Sequence, residues 1–141
     1  MFSLKDKVAL ITGSTRGIGK SIAEEMAKAG AKVVISSRKP EACEAVLEEF
    51  RARKQEAIAV PCNVGNKEQL QNLVHRTLSQ WGRIDIVVCN AASNPVFGPL
   101  VKVSDEAFDK IILTNVKSVF WLANMTIPQM AEGGGGSVVI I

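Results

Sequence analysis

The sequence predicts an α/β domain in which a doubly wound parallel sheet carries helices on both faces. Short apolar runs, typical of strands buried on both faces, alternate five times with segments of helical periodicity. A glycine-rich turn separates the first apolar run from the first helical segment. Because crossovers between parallel strands are right-handed, we expect five parallel strands in the order 3-2-1-4-5. The strand order reverses at strands 1 and 4, and a crevice is expected at their carboxyl ends.

The first half of the chain is predicted to hold three strands and two helices. Its strands are Val8 to Ile11, Lys32 to Ser36 and Ala57 to Pro61. The first helix places Ile18, Ile22 and Met26 on one apolar face, at spacings of four residues. Gly30 follows at the position where helices commonly end on glycine. Pro40 begins the second helix, because the first turn of a helix tolerates proline.

The second half is predicted to hold two more strands and two helical segments. Its strands are Ile84 to Cys89 and Val138 to Ile141. The helix from Lys67 to Trp81 has the clearest apolar periodicity of the chain, and Gly82 ends it. A further helical segment begins after Ser104, where acidic residues favour a helix start. It runs to about Met130, with a bend near Asn115.

Length and composition restrict the class of protein. With 141 residues, of which 47% are hydrophobic and 22% charged, the chain matches one globular domain. A net charge of +3 with scattered basic residues does not indicate nucleic-acid binding. The charged N-terminus is too short for a signal peptide, and no apolar run approaches the ~20 residues of a membrane span. Three cysteines without a CxxC pair and the lack of a metal cluster lead us to expect a cytoplasmic protein with reduced thiols.

The turn from Thr12 to Gly19 has the features of a phosphate-binding site. It lies between the first strand and the first helix, where free backbone N–H groups and the helix dipole face an anion. The alternative is a bare tight turn. The spacing differs from the nucleoside-triphosphate loop GxxxxGK[ST], because five residues separate Gly13 from Gly19. It also differs from the dinucleotide motif GxGxxG.

The pattern TGxxxGxG resembles the glycine motif of the short-chain dehydrogenase/reductase family. Further matches are Asn63-Val64, Asn90-Ala91-Ala92, Asn115 and the GGGSVVII strand, so the resemblance extends from Lys5 to Ile141. The loop that begins at Asn90 also resembles that of NADP-dependent carbonyl and retinal reductases. The resemblance implies a Rossmann fold and hydride transfer between NADP(H) and a small-molecule carbonyl or alcohol substrate. It also implies a homodimer or homotetramer at full length.

The same resemblance implies which residues bind the cofactor NADP (NADPH). The pyrophosphate would be lined by Gly13, Gly17 and Gly19 and wrapped by the backbone of Ser14, Thr15, Arg16 and Ile18. The adenine would lie at Asn63 and Val64, with Asn63 in place of the family's usual aspartate, and the ribose beside Asn90, Ala91 and Ala92.

The end of the second strand is predicted to select NADP over NAD. NAD-preferring relatives have an acidic residue there, whereas this chain has Ser37 followed by Arg38. A carboxylate would repel a 2′-phosphate, but a serine and a guanidinium would bind it. Arg16 is placed to approach from the other side. The alternative for Arg38 is a solvated loop charge.

Asn115 matches the asparagine of the family's catalytic set, whose side chain is thought to hold a water near the catalytic lysine. The family's catalytic serine, tyrosine and lysine have no counterpart, because the chain contains no Tyr and Ser137 precedes the fifth strand. The first hypothesis is that residues 1–141 are the NADP-binding domain of an enzyme, truncated before its catalytic region and inactive alone. The alternative is a short non-catalytic protein that binds a nucleotide or a partner. An uncovered apolar fifth strand favours the first hypothesis.

Overall fold

Five strands form one sheet in the order β3-β2-β1-β4-β5 in the computed structural model, which describes residues 2–141. The strands are β1 (Val8–Thr12), β2 (Lys32–Ser36), β3 (Ala57–Ala59), β4 (Ile86–Cys89) and β5 (Ser137–Ile140). The helices are α1 (Gly17–Lys28), α2 (Pro40–Ala52), α3 (Lys67–Trp81), α4 (Asp105–Ile112) and α5 (Ser118–Glu132). Every neighbouring pair of strands is parallel. The predicted fold class, strand order and strand direction are therefore confirmed.

Alternate residues of the central strand β1 enter two separate cores. Leu10 packs on one face of the sheet with residues of α3 and α5, including Leu70. Ile11 packs on the other face with residues of α1 and α2, including Phe50. All five residues of β1 are buried, as expected for a strand covered on both faces. The helices are thereby fixed around the carboxyl ends of the strands.

The face of helix α1 that packs on the sheet overlaps the predicted face but is centred on smaller residues. Its buried residues are Gly19, Ala23 and Ala27, whereas Ile18 is 64% exposed. Ile22 and Met26 of the predicted face are partly buried and pack against the same core. Small residues let the helix approach the strands closely. The prediction was wrong for Ile18 and missed the small residues, because the apolar spacing ranks residues by hydrophobicity and does not include how closely the two backbones approach.

Strand β2 has the predicted bounds, and the other four strands differ from the predicted ones by one or two residues at one or both ends. Strand β3 ends at Ala59, before Pro61, which has no N–H for the sheet. Strand β4 begins at Ile86, and β5 begins at Ser137, so Ser137 is the first residue of the strand. A 3-10 turn at residues 100–102 was not predicted. Near Asn115, where a bend was predicted, the helical segment contains a π-helical turn over residues 113–117.

The fifth strand lies at the edge of the sheet and is largely exposed. Val138 packs against the core, but Val139 and Ile140 are 42% and 64% exposed. The strand pairs with β4 on one side only. Its other side is an unpaired apolar edge, as the sequence predicted.

The three cysteines Cys43, Cys62 and Cys89 are free and buried. No helix within residues 2–141 is both long and apolar enough to cross a membrane. Over the same residues, His, Cys, Asp and Glu side chains do not form a group that could hold a metal ion.

Asp85 fastens the amino ends of β1 and β4. Its carboxylate accepts a hydrogen bond from the Val8 N–H at 2.9 Å and another from Arg83 Nε at 2.9 Å. Burial alone would raise the pKa of this carboxyl, but the hydrogen bonds from Arg83 and Val8, with the charge of Lys7, hold it below its ordinary value. The carboxyl ends of the strands lie at the opposite edge, so Asp85 is a structural residue remote from the crevice.

Asp85→Asn is expected to lower the free energy of unfolding at neutral pH by about 1–2 kcal/mol. The charge-assisted hydrogen bonds to Arg83 are lost, whereas the amide oxygen of the asparagine can still accept the hydrogen bond from the Val8 N–H. A carboxyl with a depressed folded pKa stabilises the fold above its unfolded pKa of about 4 and loses that contribution as the pH falls through the folded value. The difference between native and variant protein should therefore shrink below pH ~4. Urea unfolding at a series of pH values measures it, with the exposed Asp109→Asn as control; a difference independent of pH would contradict the assignment.

Candidate functional site

A cavity of about 580 Å³ opens at the carboxyl ends of β1 to β4. Its volume is typical of a site for a small molecule or cofactor. It is lined by Gly13, Thr15, Arg16, Gly17, Ile18, Gly19, Ser37, Arg38, Cys62, Asn63, Val64, Gly65, Asn90, Ala91, Ala92, Ser93, Lys110, Leu113 and Thr114. Every residue predicted to bind the cofactor is in this lining except Ser14. The structure therefore brings together residues that lie almost 80 positions apart in the chain.

The glycines of the turn after β1 are required by the backbone geometry. Gly13 and Gly17 have φ values of +68° and +53°, which side chains rarely adopt. A Cβ atom on Gly19 would overlap the carbonyl oxygen of Gly13 and the side-chain nitrogen of Asn90. A Cβ atom on Gly17 would meet open space, because Gly17 faces the cavity. At these glycines the turn presents bare backbone to the cavity.

Ser14 has a different role from the predicted one. It is fully buried and does not line the cavity. Its Oγ accepts a hydrogen bond from the Ser36 N–H at 2.8 Å, and its own N–H donates to the Ser36 carbonyl at 2.9 Å. Ser14 therefore fastens the turn to β2, and its N–H is not available to a ligand.

The first turn of α1 presents unpaired backbone donors to the cavity. The first hydrogen bond of the helix runs from the Lys20 N–H to the Arg16 carbonyl at 3.3 Å. The N–H groups of residues 17–19 come before it and have no acceptor within the helix. Within residues 2–141 these three groups have no hydrogen-bond partner, and neither a capping side chain nor an acidic residue occupies this turn. Unpaired N–H groups and the positive end of the helix dipole stabilise an anion.

Three cationic side chains line the cavity, and no acidic residue does. Arg16 and Arg38 were predicted, whereas Lys110 of α4 was not. None of the three forms an ion pair or a side-chain hydrogen bond with another described residue of the chain. No sequence signal indicated Lys110, because its neighbours in the lining, Leu113 and Thr114, were not predicted to be site residues either. The uncompensated positive charge favours an anionic ligand.

Thr12 joins the two turns that form the floor of the cavity, a role that the sequence did not indicate. Its Oγ1 accepts hydrogen bonds from the N–H groups of Asn90 and Ala91, both at 3.0 Å. The Asn90 side chain in turn donates to the carbonyl of Thr12 at 3.0 Å and to that of Gly13 at 3.2 Å. The loops after β1 and β4 are therefore held at a fixed separation.

The wall after β3 combines a polar and an apolar residue. The Asn63 side-chain oxygen accepts a hydrogen bond from the Gly65 N–H at 3.1 Å, and its second lone pair stays available. Burial, together with the neighbouring Cys43, raises the pKa of the Cys62 thiol to about 11. Cys62 is therefore a neutral thiol at physiological pH, suited to packing against an apolar ring.

Asn115 lies behind the cavity, in the π-helical turn. Its side-chain oxygen accepts from the Ser93 N–H at 2.8 Å, and its side-chain nitrogen donates to the Ser93 carbonyl at 3.0 Å. Both ends of the amide are thus bound to Ser93, and the water-holding role that the resemblance implies for Asn115 stays a prediction. In this structure Asn115 positions the loop after β4, while a direct catalytic role stays a prediction.

Comparison with known proteins gives matches along nearly the whole chain. A family model described as short chain dehydrogenase matches residues 7–141. The Oryctolagus cuniculus protein "Dehydrogenase/reductase SDR family member 4" is 44% identical over 138 residues, covering 98% of this chain and 53% of its own. The Arabidopsis thaliana protein "Short-chain dehydrogenase/reductase SDRA" is 38% identical over 138 residues, covering 98% and 54%. The chain therefore spans about half the length of these curated relatives.

Solved structures agree with this match. A 7α-hydroxysteroid dehydrogenase complexed with NADH and 7-oxo glycochenodeoxycholic acid superposes with a TM-score of 0.93 at 34% identity, over 99% of this chain and 54% of that chain. A metagenomic short-chain oxidoreductase in complex with NADP superposes with a TM-score of 0.91 at 31% identity, over 97% and 62%.

Proposed function

This chain belongs to the short-chain dehydrogenase/reductase family, and on that premise we propose that it is the cofactor-binding part of an NADP-dependent oxidoreductase. Its residues hold NADP(H) against a carbonyl or alcohol substrate, and the nicotinamide ring supplies or accepts the hydride when bound. The serine, tyrosine and lysine of the family's catalytic set belong to a region outside these 141 residues. The complete enzyme acts in the cytoplasm as a homodimer or homotetramer.

The observation that carries the proposal is the excess of unpaired positive charge around the cavity. The N–H groups of residues 17–19 suit a pyrophosphate, because they can donate charge-assisted hydrogen bonds without first breaking others. Among residues 2–141, Arg16 and Arg38 have no acidic partner, and a 2′-phosphate would supply an anionic one. Since one structural neighbour is complexed with NADH and another with NADP, the fold alone does not select the cofactor. Ser37 and Arg38 are the reason for choosing NADP.

Arg38→Ala is expected to weaken NADPH binding about ten- to a hundredfold, the value of one charge-assisted contact of roughly 1.5–3 kcal/mol. NADH binding should change less than about twofold, because NADH lacks the 2′-phosphate that Arg38 is proposed to bind. Calorimetric titration with both cofactors measures the two effects. Arg76→Ala removes an exposed arginine of α3 that does not line the cavity, and it serves as the matched control. Equal losses for NADPH and NADH would show that Arg38 does not bind the 2′-phosphate.

The second candidate is a non-catalytic protein that binds a nucleotide or a partner. The lack of any Tyr favours it, because the family's acid–base residue is a tyrosine. Both candidates use the same cavity and the same anion-binding turn. They differ in whether the complete protein oxidises NADPH in the presence of a carbonyl substrate.

A further inference from the structure

A buried thiol lies directly behind the end of β2. Cys43 belongs to the first turns of α2 and is fully buried. Its Sγ accepts a hydrogen bond from the Ser37 N–H at 3.2 Å and lies 3.4 Å from Ser37 Oγ. The thiol does not line the cavity, but the residue that it binds does.

All the polar groups of Ser37 are held by neighbouring residues. Its N–H donates to Cys43 Sγ, and its carbonyl accepts from the Cys62 N–H at 2.9 Å. Its Oγ accepts from the Lys39 N–H at 3.4 Å. Arg38 follows Ser37 directly, is exposed, and forms no side-chain bond to another described residue. The direction in which Arg38 leaves the sheet is therefore set by the backbone of Ser37.

We propose that Cys43 is a positioning residue that sets the preference for a 2′-phosphorylated cofactor by fixing the backbone of Ser37 and so the start of the Arg38 side chain. The inference rests on the proposed function, because it requires Arg38 to bind the 2′-phosphate. An apolar side chain at position 43 leaves the Ser37 N–H without its acceptor in a partly buried setting. The loop then moves to find another partner and carries Arg38 with it. A serine at position 43 keeps an acceptor.

The test compares two probes that differ only in the 2′-phosphate, adenosine 2′,5′-bisphosphate and adenosine 5′-monophosphate. In Cys43→Val, binding of the bisphosphate is expected to weaken roughly three- to tenfold, the value of a hydrogen bond of ordinary strength. Binding of the monophosphate should change less than about twofold. Cys43→Ser is expected to recover most of the loss. Cys89→Val, at a buried thiol of β4 that makes no side-chain hydrogen bond, is the matched control and should leave the ratio of the two affinities unchanged.

A double-mutant cycle with Arg38→Ala separates this role from a merely structural one. If Cys43 acts through Arg38, Cys43→Val should cause no further loss of bisphosphate affinity in the Arg38→Ala background. Additive losses, or equal losses for both probes, would overturn the inference. If Arg38→Ala alone removes the discrimination but Cys43→Val and Cys43→Ser keep it intact, only the role of Cys43 is wrong. If Arg38→Ala leaves the discrimination unchanged, the proposed cofactor choice fails, and the inference fails with it. Thermal unfolding of each variant confirms that the folded protein is being titrated.

Discussion

A polypeptide limited to these 141 residues is expected to show no turnover of NADPH with ketones or aldehydes. In this family a tyrosine transfers the proton to the carbonyl oxygen, and the chain contains no Tyr. Positioned acid–base catalysis commonly contributes ~10²–10⁴-fold, and the absent serine and lysine remove charge stabilisation and orientation as well. NADPH oxidation with a panel of carbonyl substrates, on protein of verified mass, measures the effect.

The control is a longer form of the protein that contains a serine and a YxxxK segment after β5. That form is expected to be active, while the 141-residue polypeptide retains at most weakened cofactor binding. Because Val139 and Ile140 are exposed at the sheet edge, the short polypeptide should also associate or precipitate more readily than the longer one. Turnover by the verified short polypeptide would mean that the tyrosine mechanism does not apply to this protein.

Gly19→Ala is expected to reduce NADPH affinity at least about a hundredfold, the value of two charge-assisted hydrogen bonds, and to destabilise the fold by about 3 kcal/mol. The added Cβ would overlap the Gly13 carbonyl and the Asn90 amide, and neither can yield easily. The first belongs to the backbone, and the second is bound to the carbonyl of Thr12. The first turn of α1 must therefore move away from β1 and take its unpaired N–H groups with it. Calorimetric titration and urea unfolding measure the two effects.

Gly82→Ala is the matched control for this substitution. Gly82 ends α3 with φ at +72°, and a Cβ atom there would meet open space. A left-handed alanine costs roughly 1 kcal/mol, so this variant should be slightly destabilised and should bind NADPH like the native protein. If Gly19→Ala also bound NADPH normally, the close contact between α1 and β1 would not be needed to shape the anion site.

The sequence predicted the topology because each strand and helix has a pattern of its own. The alternation of buried strands such as β1 with periodic helices such as α3 leaves few parallel arrangements, and the glycine turn locates the crevice at the switch point. The sequence placed Ile18 wrongly and missed the centre of the buried face of α1, where the small residues Gly19, Ala23 and Ala27 allow close packing on the sheet. The local sequence pattern therefore predicts the strands and helices more accurately than it predicts how closely they pack.

The parts of the site that were not predicted depend on contacts between distant segments. Lys110 reaches the cavity only because α4 packs beside the loop after β3. Thr12 binds Asn90, 78 positions away. Cys43 has no motif around it, and its contact with Ser37 exists only because α2 folds back on β2. The spacing of residues along the chain does not reveal contacts between distant segments. The glycine motif could be recognised because the residues that form its anion site are close together in the chain.

The uncompensated charge of Arg16, Arg38 and Lys110 also bears on how fast a ligand arrives. Cations grouped at one concave edge, with no carboxylate to cancel them, attract an anion before any contact forms. At physiological ionic strength this attraction extends about 8 Å, and it shortens as salt is added. The long-range attraction accelerates the encounter with a polyanionic nucleotide, whereas the short hydrogen bonds of the glycine turn govern how long it stays. Side-chain charge therefore governs the rate at which the nucleotide binds, and the backbone N–H groups of the same crevice govern how long it stays bound.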